Sequence, residues 1–299
     1  MKSKVIYWLT YAGMWLLALL PFRMLYALSD GFYFLMRYII RYRKRVIRTN
    51  LRNSFPEKTD AELLNIERRF YHYICDYILE EVKILRMSFD ELHRRMNYKN
   101  TEAYLSMIDR YGGIVVMIPH YANFEWLIGM GAIMKPEDIA GQVYKPLHNK
   151  YMDEMFKLIR SRFGGYNIPK HSTAREVIKL RRENKRMALG LITDQSPIPN
   201  EAHHWTIFLN QDTVFMDGAE RIAKMMNFPV FYAELRKTGR GYCEVSFDLL
   251  TETPKQTADG EITELFARHL EQTIHRDPPY WFWSHKRWKL KREDVMQHG

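Results

Sequence analysis

A short run of branched apolar residues between chain breakers constrains the fold of this sequence more than any other feature. Gly112-Gly113 precedes Ile114-Val115-Val116-Met117-Ile118, and Pro119 follows it. A continuous apolar run of this kind indicates a strand that is buried on both faces, as in parallel sheets. Similar runs occur at 188–192, 230–233 and 242–245.

Stretches with helical spacing separate these runs, at 123–133, 149–162, 172–182 and 217–226. Strands that alternate with helices predict an α/β fold with a mostly parallel central sheet flanked by helices. Before the first strand, Thr59 and Glu62 predict a capping box that opens a helix over 59–87. Ser88 with Glu91 opens a shorter helix in the same way, and Asn100-Thr101 predicts the start of another, through Ile108.

The N-terminus indicates a membrane anchor helix. Residues 5–22 carry no charge, and at about 1.5 Å rise per residue they reach roughly 27 Å, close to the thickness of a bilayer core. The stretch either spans the membrane or lies in its surface. A cleaved signal peptide is disfavoured because large side chains, and no small-residue cleavage motif, follow it.

A basic run comes soon after this stretch and includes Arg37, Arg41, Arg43, Lys44, Arg45, Arg48 and Arg52. Such clusters bind anionic headgroups and mark the cytoplasmic side. We therefore expect the chain at the inner (cytoplasmic) membrane with its main domain on the cytoplasmic side. The alternative is a solvated helix face.

Charge and cysteine content narrow the partners and the compartment. The net charge of +10 favours phosphate-bearing partners, such as anionic lipid or nucleic acid. No basic-aromatic RNA signature or reading-helix motif supports nucleic acid. Cys75 and Cys243 lack paired spacing, so a reducing compartment fits best, and His203-His204 lacks the spacing of a metal site. We predict an anchor and juxtamembrane segment over 1–44 and one domain over 45–299.

His120 is the first candidate for chemistry. It follows the predicted strand 114–118, and ligands of open α/β sheets bind at the carboxyl ends of strands. Glu125 falls in the first turns of the next helix, where its carboxylate could fix the imidazole tautomer and equip His120 as a general base. The alternative for His120 is a structural hydrogen bond.

The stretch from Ile118 to Glu125 resembles the His-x4-Asp/Glu motif of the lipid A biosynthesis late acyltransferases, a branch of the lysophospholipid acyltransferase superfamily. Other blocks similar to that family follow its order, at Arg45 to Pro56, Val143 to Asn149, Thr193 to Gln195, Phe208 to Ala223 and Pro279 to Lys289. Together they cover nearly the whole chain.

The resemblance implies an acyltransferase domain that needs no cofactor. It would move a fatty acyl chain from an acyl-carrier-protein thioester to a hydroxyl of an anionic glycolipid, a lipid A precursor. His120 would be the base and Glu125 its orienting partner. Lys145 would bind an acceptor phosphate or the oxyanion, unless it is a solvated surface charge.

Two further residues belong to the predicted substrate site. Asp194 follows the strand 188–192 and could line the same cleft, although a turn or helix cap is the alternative. Arg287 would contact phosphate, within an aromatic and basic C-terminal segment that either lies against lipid or is partly buried core.

The sequence also departs from the family pattern. Lys145 stands where the family has arginine, which removes a bidentate fork for phosphate, and Asn210 stands where glycine is usual. The acceptor can therefore differ, and a lysophospholipid or a phosphatidylinositol mannoside is an alternative. A non-enzymatic, membrane-tethered basic binding protein is the alternative outside enzymes.

Overall fold

A computed structural model describes residues 2–293, so Met1 and residues 294–299, which belong to the predicted segments 1–44 and 45–299, lie outside the described part. The centre of the molecule is a seven-stranded sheet in the order β1-β9-β8-β2-β5-β3-β4. Its strands are β1 (Met96–Tyr98), β2 (Gly113–Ile118), β3 (Ile139–Tyr144), β4 (Gly165–Pro169), β5 (Met187–Ile192), β8 (Val230–Gly239) and β9 (Tyr242–Thr251). The remaining strands, β6 (His204–Phe208) and β7 (Gln211–Phe215), form a separate antiparallel hairpin.

Helices cover the sheet. The α-helices are α1 (Lys2–Leu19), α2 (Phe22–Phe34), α3 (Lys44–Ser54), α4 (Asp60–Lys83), α5 (Phe89–Arg95), α6 (Thr101–Tyr111), α7 (Lys150–Ser161), α8 (Thr173–Arg182), α9 (Gly218–Met226) and α10 (Glu261–Arg276). A π-helical turn, Leu35–Ile39, continues α2, and a 3₁₀ helix, Phe124–Ile133, follows β2.

The predicted α/β class is confirmed. Every pairing in the central sheet is parallel except that of β8 with β9, which form an antiparallel hairpin. The predicted runs at 114–118, 188–192, 230–233 and 242–245 are all strands. The stretch 123–133 is a 3₁₀ helix, where a regular helix was expected.

The predicted helix starts are also confirmed for two elements. Thr59 and Glu62 exchange the two hydrogen bonds of a capping box at the start of α4, and the Ser88 side chain accepts from the Glu91 amide at the start of α5. Asn100 precedes α6, but its backbone is left-handed and its side chain makes no cap bond.

The core lies on both faces of β2, whose residues are all buried. This explains the unbroken apolar run, since neither face of the strand meets water. Gly113 is required at the start of the strand, because a Cβ atom there would lie 2.4 Å from the Phe228 ring. Phe228 thus packs against the amino end of β2, whereas His120 follows the carboxyl end of that strand.

Polar contacts hold the N-terminal helices α1 and α2 on α4. The Ser29 hydroxyl donates to Asp76 at 2.6 Å, the Tyr26 hydroxyl donates to Glu80 at 2.9 Å, and Lys83 donates to the carbonyl of Ala18 at 2.8 Å. Within residues 2–293, no helix combines the length and the apolarity that crossing a bilayer requires.

Candidate active site

The loop that carries His120 follows β2 and is held in place by hydrogen bonds of the Ala122 backbone. Ala122 adopts a left-handed conformation with a φ of +48°, which is uncommon for a residue other than glycine. Its amide donates to the Tyr280 carbonyl at 2.9 Å, and its carbonyl accepts from the Tyr73 hydroxyl at 2.8 Å. The imidazole of His120 then packs against the rings of Phe124 and Phe282, with centroids 4.9 and 5.5 Å away.

The register of two strands brings His120 to Asp194. In the parallel pair of β2 and β5, Ile118 lies opposite Ile192, so the residues two positions further along each strand meet at the same edge of the sheet. Asp194 Oδ1 lies 2.6 Å from His120 Nδ1, and Asp194 Oδ2 accepts from the His120 amide at 3.0 Å. The indole nitrogen of Trp281 donates to the same Oδ2 at 2.8 Å.

Asp194 stays ionised in this arrangement. Its side chain is 1% exposed, and burial by itself would raise the pKa of the carboxyl. The nearby His120 and the hydrogen bonds from His120 and Trp281 outweigh burial and lower the pKa of Asp194. A buried carboxylate that accepts several hydrogen bonds is stabilised in its charged form.

The tautomer of His120 follows from these contacts. Because a carboxylate can only accept hydrogen bonds, Nδ1 carries the proton and Nε2 carries a lone pair. Gln195 Nε2 lies 3.0 Å from His120 Nε2, so the carboxamide of Gln195 presents its NH₂ group there. Both side chains line one cavity, and Nε2 is the ring nitrogen left to act as a general base on a ligand bound there.

Glu125 does not hold His120, which corrects the expectation from the His-x4-Glu spacing. Its carboxylate pairs with Arg160 of α7, with Oε1 lying 3.0 Å from Nη2, and both ring nitrogens of His120 have other partners. Glu125 lies in the first turn of the 3₁₀ helix that begins at Phe124. Its partner Arg160 is 35 positions later in the sequence. Asp194, predicted only to line the cleft, takes the orienting position.

A second carboxyl group lies beside this ion pair. Burial, followed by the charge of Glu125, raises the pKa of Glu81 well above its ordinary value. The charge of Arg160 opposes this effect without outweighing it, because Arg160 pairs with Glu125. Burial therefore favours the neutral form of Glu81.

A cavity of about 630 Å³ extends from His120 into the protein. Its inner wall is mainly apolar and includes Ile118, Leu127, Ile128, Met130, Ala188 and Leu191. The half-buried Glu125 and Arg160 line it, and so do three exposed cations, Lys145, Lys170 and Arg221. Such a cavity fits a ligand with a long apolar part and an anionic part.

Comparison with known proteins identifies the family. Residues 1–290 match the family described as bacterial lipid A biosynthesis acyltransferase. The chain belongs to this family. It is also 22% identical over 297 residues to a lipid A biosynthesis lauroyltransferase of Escherichia coli (strain K12), a match that covers 97% of this chain and 94% of that protein. The family assigns the chain to the acyltransferases of lipid A biosynthesis and confirms the predicted resemblance.

In this acyltransferase, Lys145 follows β3 at the outer part of the cavity. Its side chain is exposed, and within residues 2–293 it forms no ion pair. A lysine whose charge is unpaired at the opening of an apolar cavity can attract a phosphate. The predicted substrate contact of Lys145 is thus open to a ligand.

Arg287 is placed differently from the prediction. It is 2% exposed, its guanidinium donates to the Val214 carbonyl at 2.6 Å, and it is not part of the cavity wall. Burial lowers the pKa of Arg287 to about 10. The predicted phosphate contact of Arg287 is corrected, because the structure buries this side chain against β7 and does not bring it to the cavity that His120 lines.

Gln195 and Trp281, which contact His120 and Asp194, were missed from the sequence. Gln195 adjoins Asp194 in the Asp-Gln block. Its position just after the predicted strand 188–192 is the signal that could have placed it in the site. Trp281 belongs to the aromatic C-terminal segment, which pairs with the His120 loop through a bridge between Tyr121 and Trp281. No local signal connects Trp281 with Asp194, because they are 87 positions apart in the sequence.

Proposed function

We propose that this acyltransferase moves a fatty acyl chain from an acyl-carrier-protein thioester to a hydroxyl of a lipid A precursor. The observation that carries the proposal is the oriented base: His120 lines a mainly apolar cavity, and Asp194 holds its Nδ1 at 2.6 Å, so that Nε2 is left as the base. Family membership gives the substrate class.

In the proposed reaction, His120 Nε2 takes the proton of the acceptor hydroxyl as its oxygen attacks the thioester carbonyl carbon. Asp194 stabilises the imidazolium that forms. The tetrahedral intermediate collapses, the carbon–sulfur bond breaks, and the imidazolium returns the proton to the leaving thiolate. General base catalysis of this type contributes roughly 10²–10⁴ in rate.

The other polar groups of the cavity would position the substrates. We place the acyl chain along the apolar wall and an anionic group of the acceptor at Lys145. The ion pair of Glu125 with Arg160 lines this cavity. We propose that this pair binds a polar part of the substrate, while Asp194 alone orients the imidazole.

We also propose that the N-terminal helices lie in the surface of the inner membrane, on its cytoplasmic side. Large apolar side chains are exposed along this region, at Trp8, Leu9, Trp15, Leu16, Leu19, Met24, Leu28, Phe32, Phe34, Leu35, Tyr38, Ile39 and Ile40. The exposed Arg41 and Arg45 follow and suit anionic headgroups. This location would give the enzyme direct access to a lipid acceptor.

Mass spectrometry of lipid A from cells with and without the protein tests the proposal. We expect one acyl chain fewer on lipid A when the protein is absent. Unchanged lipid A would contradict the acceptor. A parallel assay with radiolabelled acceptors separates the alternatives, since a product on a lysophospholipid or a phosphatidylinositol mannoside alone would assign that acceptor instead.

The donor is tested separately with purified protein. We expect transfer from the acyl-carrier-protein thioester and much slower transfer from the coenzyme A thioester of the same chain. Equal rates with both donors would contradict dependence on the carrier protein.

A further inference from the structure

We propose that Gln195 is a catalytic residue, whose carboxamide covers the lone pair of His120 in the resting enzyme and donates to the oxyanion during transfer. The inference rests on the proposed function and deepens it. It starts from the contact of 3.0 Å between Gln195 Nε2 and His120 Nε2.

The direction of this contact is fixed by the other side of the ring. The carboxylate of Asp194 leaves the proton of His120 on Nδ1, and Nε2 therefore accepts. The Gln195 carboxamide has to present its NH₂ group, because its oxygen would face a second acceptor. The orientation of the amide thus depends on a chain of contacts that begins at the buried Asp194.

Gln195 is free to move away from this position. Within residues 2–293, its side chain has no other hydrogen-bond partner, and the residue is half-buried at the wall of the cavity. By contrast, the neighbouring Ser196 is tied down, since its amide donates to His285 Nε2 at 3.3 Å. The backbone after β5 is held while the Gln195 side chain can rotate.

The acceptor hydroxyl and the carboxamide compete for one place. A hydroxyl that transfers its proton to Nε2 must approach within roughly 2.6–3.2 Å of that nitrogen, which is where the NH₂ group of Gln195 lies. Binding of the acceptor therefore displaces the carboxamide. The displaced NH₂ group stays close to the thioester carbonyl carbon, because the acceptor oxygen that displaced it is the atom that forms a bond to that carbon.

The displaced NH₂ group can then stabilise the charge that develops. As the new carbon–oxygen bond forms, the carbonyl electron pair moves to the thioester oxygen, and the proton moves to Nε2. The NH₂ group of Gln195 donates to that oxyanion until the pair returns and the carbon–sulfur bond breaks. A side-chain amide in such a position typically contributes 10²–10³ in rate.

Two variants test this role in the full-length protein. Gln195→Leu removes the donor and the polarity, whereas Gln195→Glu keeps the shape and removes the NH₂ group. Gln256→Leu, at an exposed site in a 3₁₀ turn, is the matched control. The substrates are a fatty acyl-carrier-protein thioester and a lipid A precursor with a free hydroxyl, and melting temperatures confirm that each variant is folded.

We expect both Gln195 variants to lose about 10²–10³ in kcat. The KM for the acceptor should stay the same or fall, because the acceptor no longer displaces an amide. Either folded variant with a kcat within about threefold of the wild type, or a rise in KM alone, would overturn the role. Wild-type protein that transfers no acyl chain would instead contradict the proposed function.

Discussion

The two carboxylates considered as partners of His120, Asp194 and Glu125, differ in what surrounds them. Asp194 lies behind the imidazole, 1% exposed, and accepts three hydrogen bonds. Glu125 lines the cavity, is 19% exposed and pairs with Arg160. Sealed carboxylates of the first kind orient a base, whereas an ion pair on a cavity wall can meet a substrate. Because Glu125 is close to His120 in the sequence, the spacing predicted it as the orienting carboxylate, a position that Asp194 holds in the structure.

The largest effect is expected at Asp194. In Asp194→Asn, the amide can donate to Nδ1, which favours the tautomer with its proton on Nε2 and removes the base. We expect kcat for acyl transfer to fall by about 10³–10⁴, close to the loss in His120→Ala. The exposed Asp212→Asn serves as the control, and a loss below tenfold at Asp194 would break the comparison.

A smaller effect is expected at Glu125. Glu125→Gln keeps the shape but leaves the Arg160 guanidinium without its charged partner, so part of the substrate site loses its geometry. We expect kcat/KM to fall by about 10-fold, as binding energy rather than base strength is affected. If the loss equalled that of Asp194→Asn and lay wholly in kcat, the two carboxylates would share one role.

Lys145 tests the outer end of the same cavity. Lys145→Ala removes a charge that faces an anionic acceptor, and we expect the KM for the acceptor to rise about 10-fold with little change in kcat. The neighbouring Lys150→Ala, also exposed, should behave like the wild type. Equal acceptor KM values in both variants would show that Lys145 is a solvated charge.

The smallest effect concerns acid stability. Burial lowers the pKa of His285 to about 4, and its neutral Nε2 accepts from the Ser196 amide, beside Gln195. Because the unfolded chain binds this proton near pH 6.5, stability is present above that pH and is lost as pH falls towards 4. After allowance for solvent screening, we expect a loss of about 1 kcal/mol.

Urea unfolding at several pH values measures this loss. His285→Asn should be less stable than the wild type near pH 7, and its stability should decline less between pH 6.5 and 4. Identical slopes for the two proteins would exclude His285 as the titrating group.

The sequence predicted the centre of the fold because its signals are local. The runs that became β2 and β5 are apolar on both faces, and Thr59 with Glu62 marks the start of α4 within one turn. The strands β3 and β4 escaped prediction because both are short and mostly half-buried, so that neither shows an unbroken apolar run or a regular alternation. The antiparallel turn from β8 into β9 has a local signal that the sequence analysis did not use, since Gly239 and Gly241 flank Arg240 between the two strands.

The site was predicted in part for the same reason. His120 stands out beside its strand, but the choice between Asp194 and Glu125 depends on the register of β2 with β5. Asp194 could have been found by counting two residues past each apolar run. Arg160 could not, because only the packing of α7 brings it to Glu125.

The imidazole nitrogens of His120 report most directly which carboxylate holds the base. With ¹⁵N-labelled histidine, and with His120→Ala to assign the signals, NMR spectra of the wild type, Asp194→Asn and Glu125→Gln can be compared at one pH. We predict the Nδ1–H tautomer in the wild type and in Glu125→Gln, and its loss in Asp194→Asn. A tautomer that changes in Glu125→Gln but persists in Asp194→Asn would contradict the account.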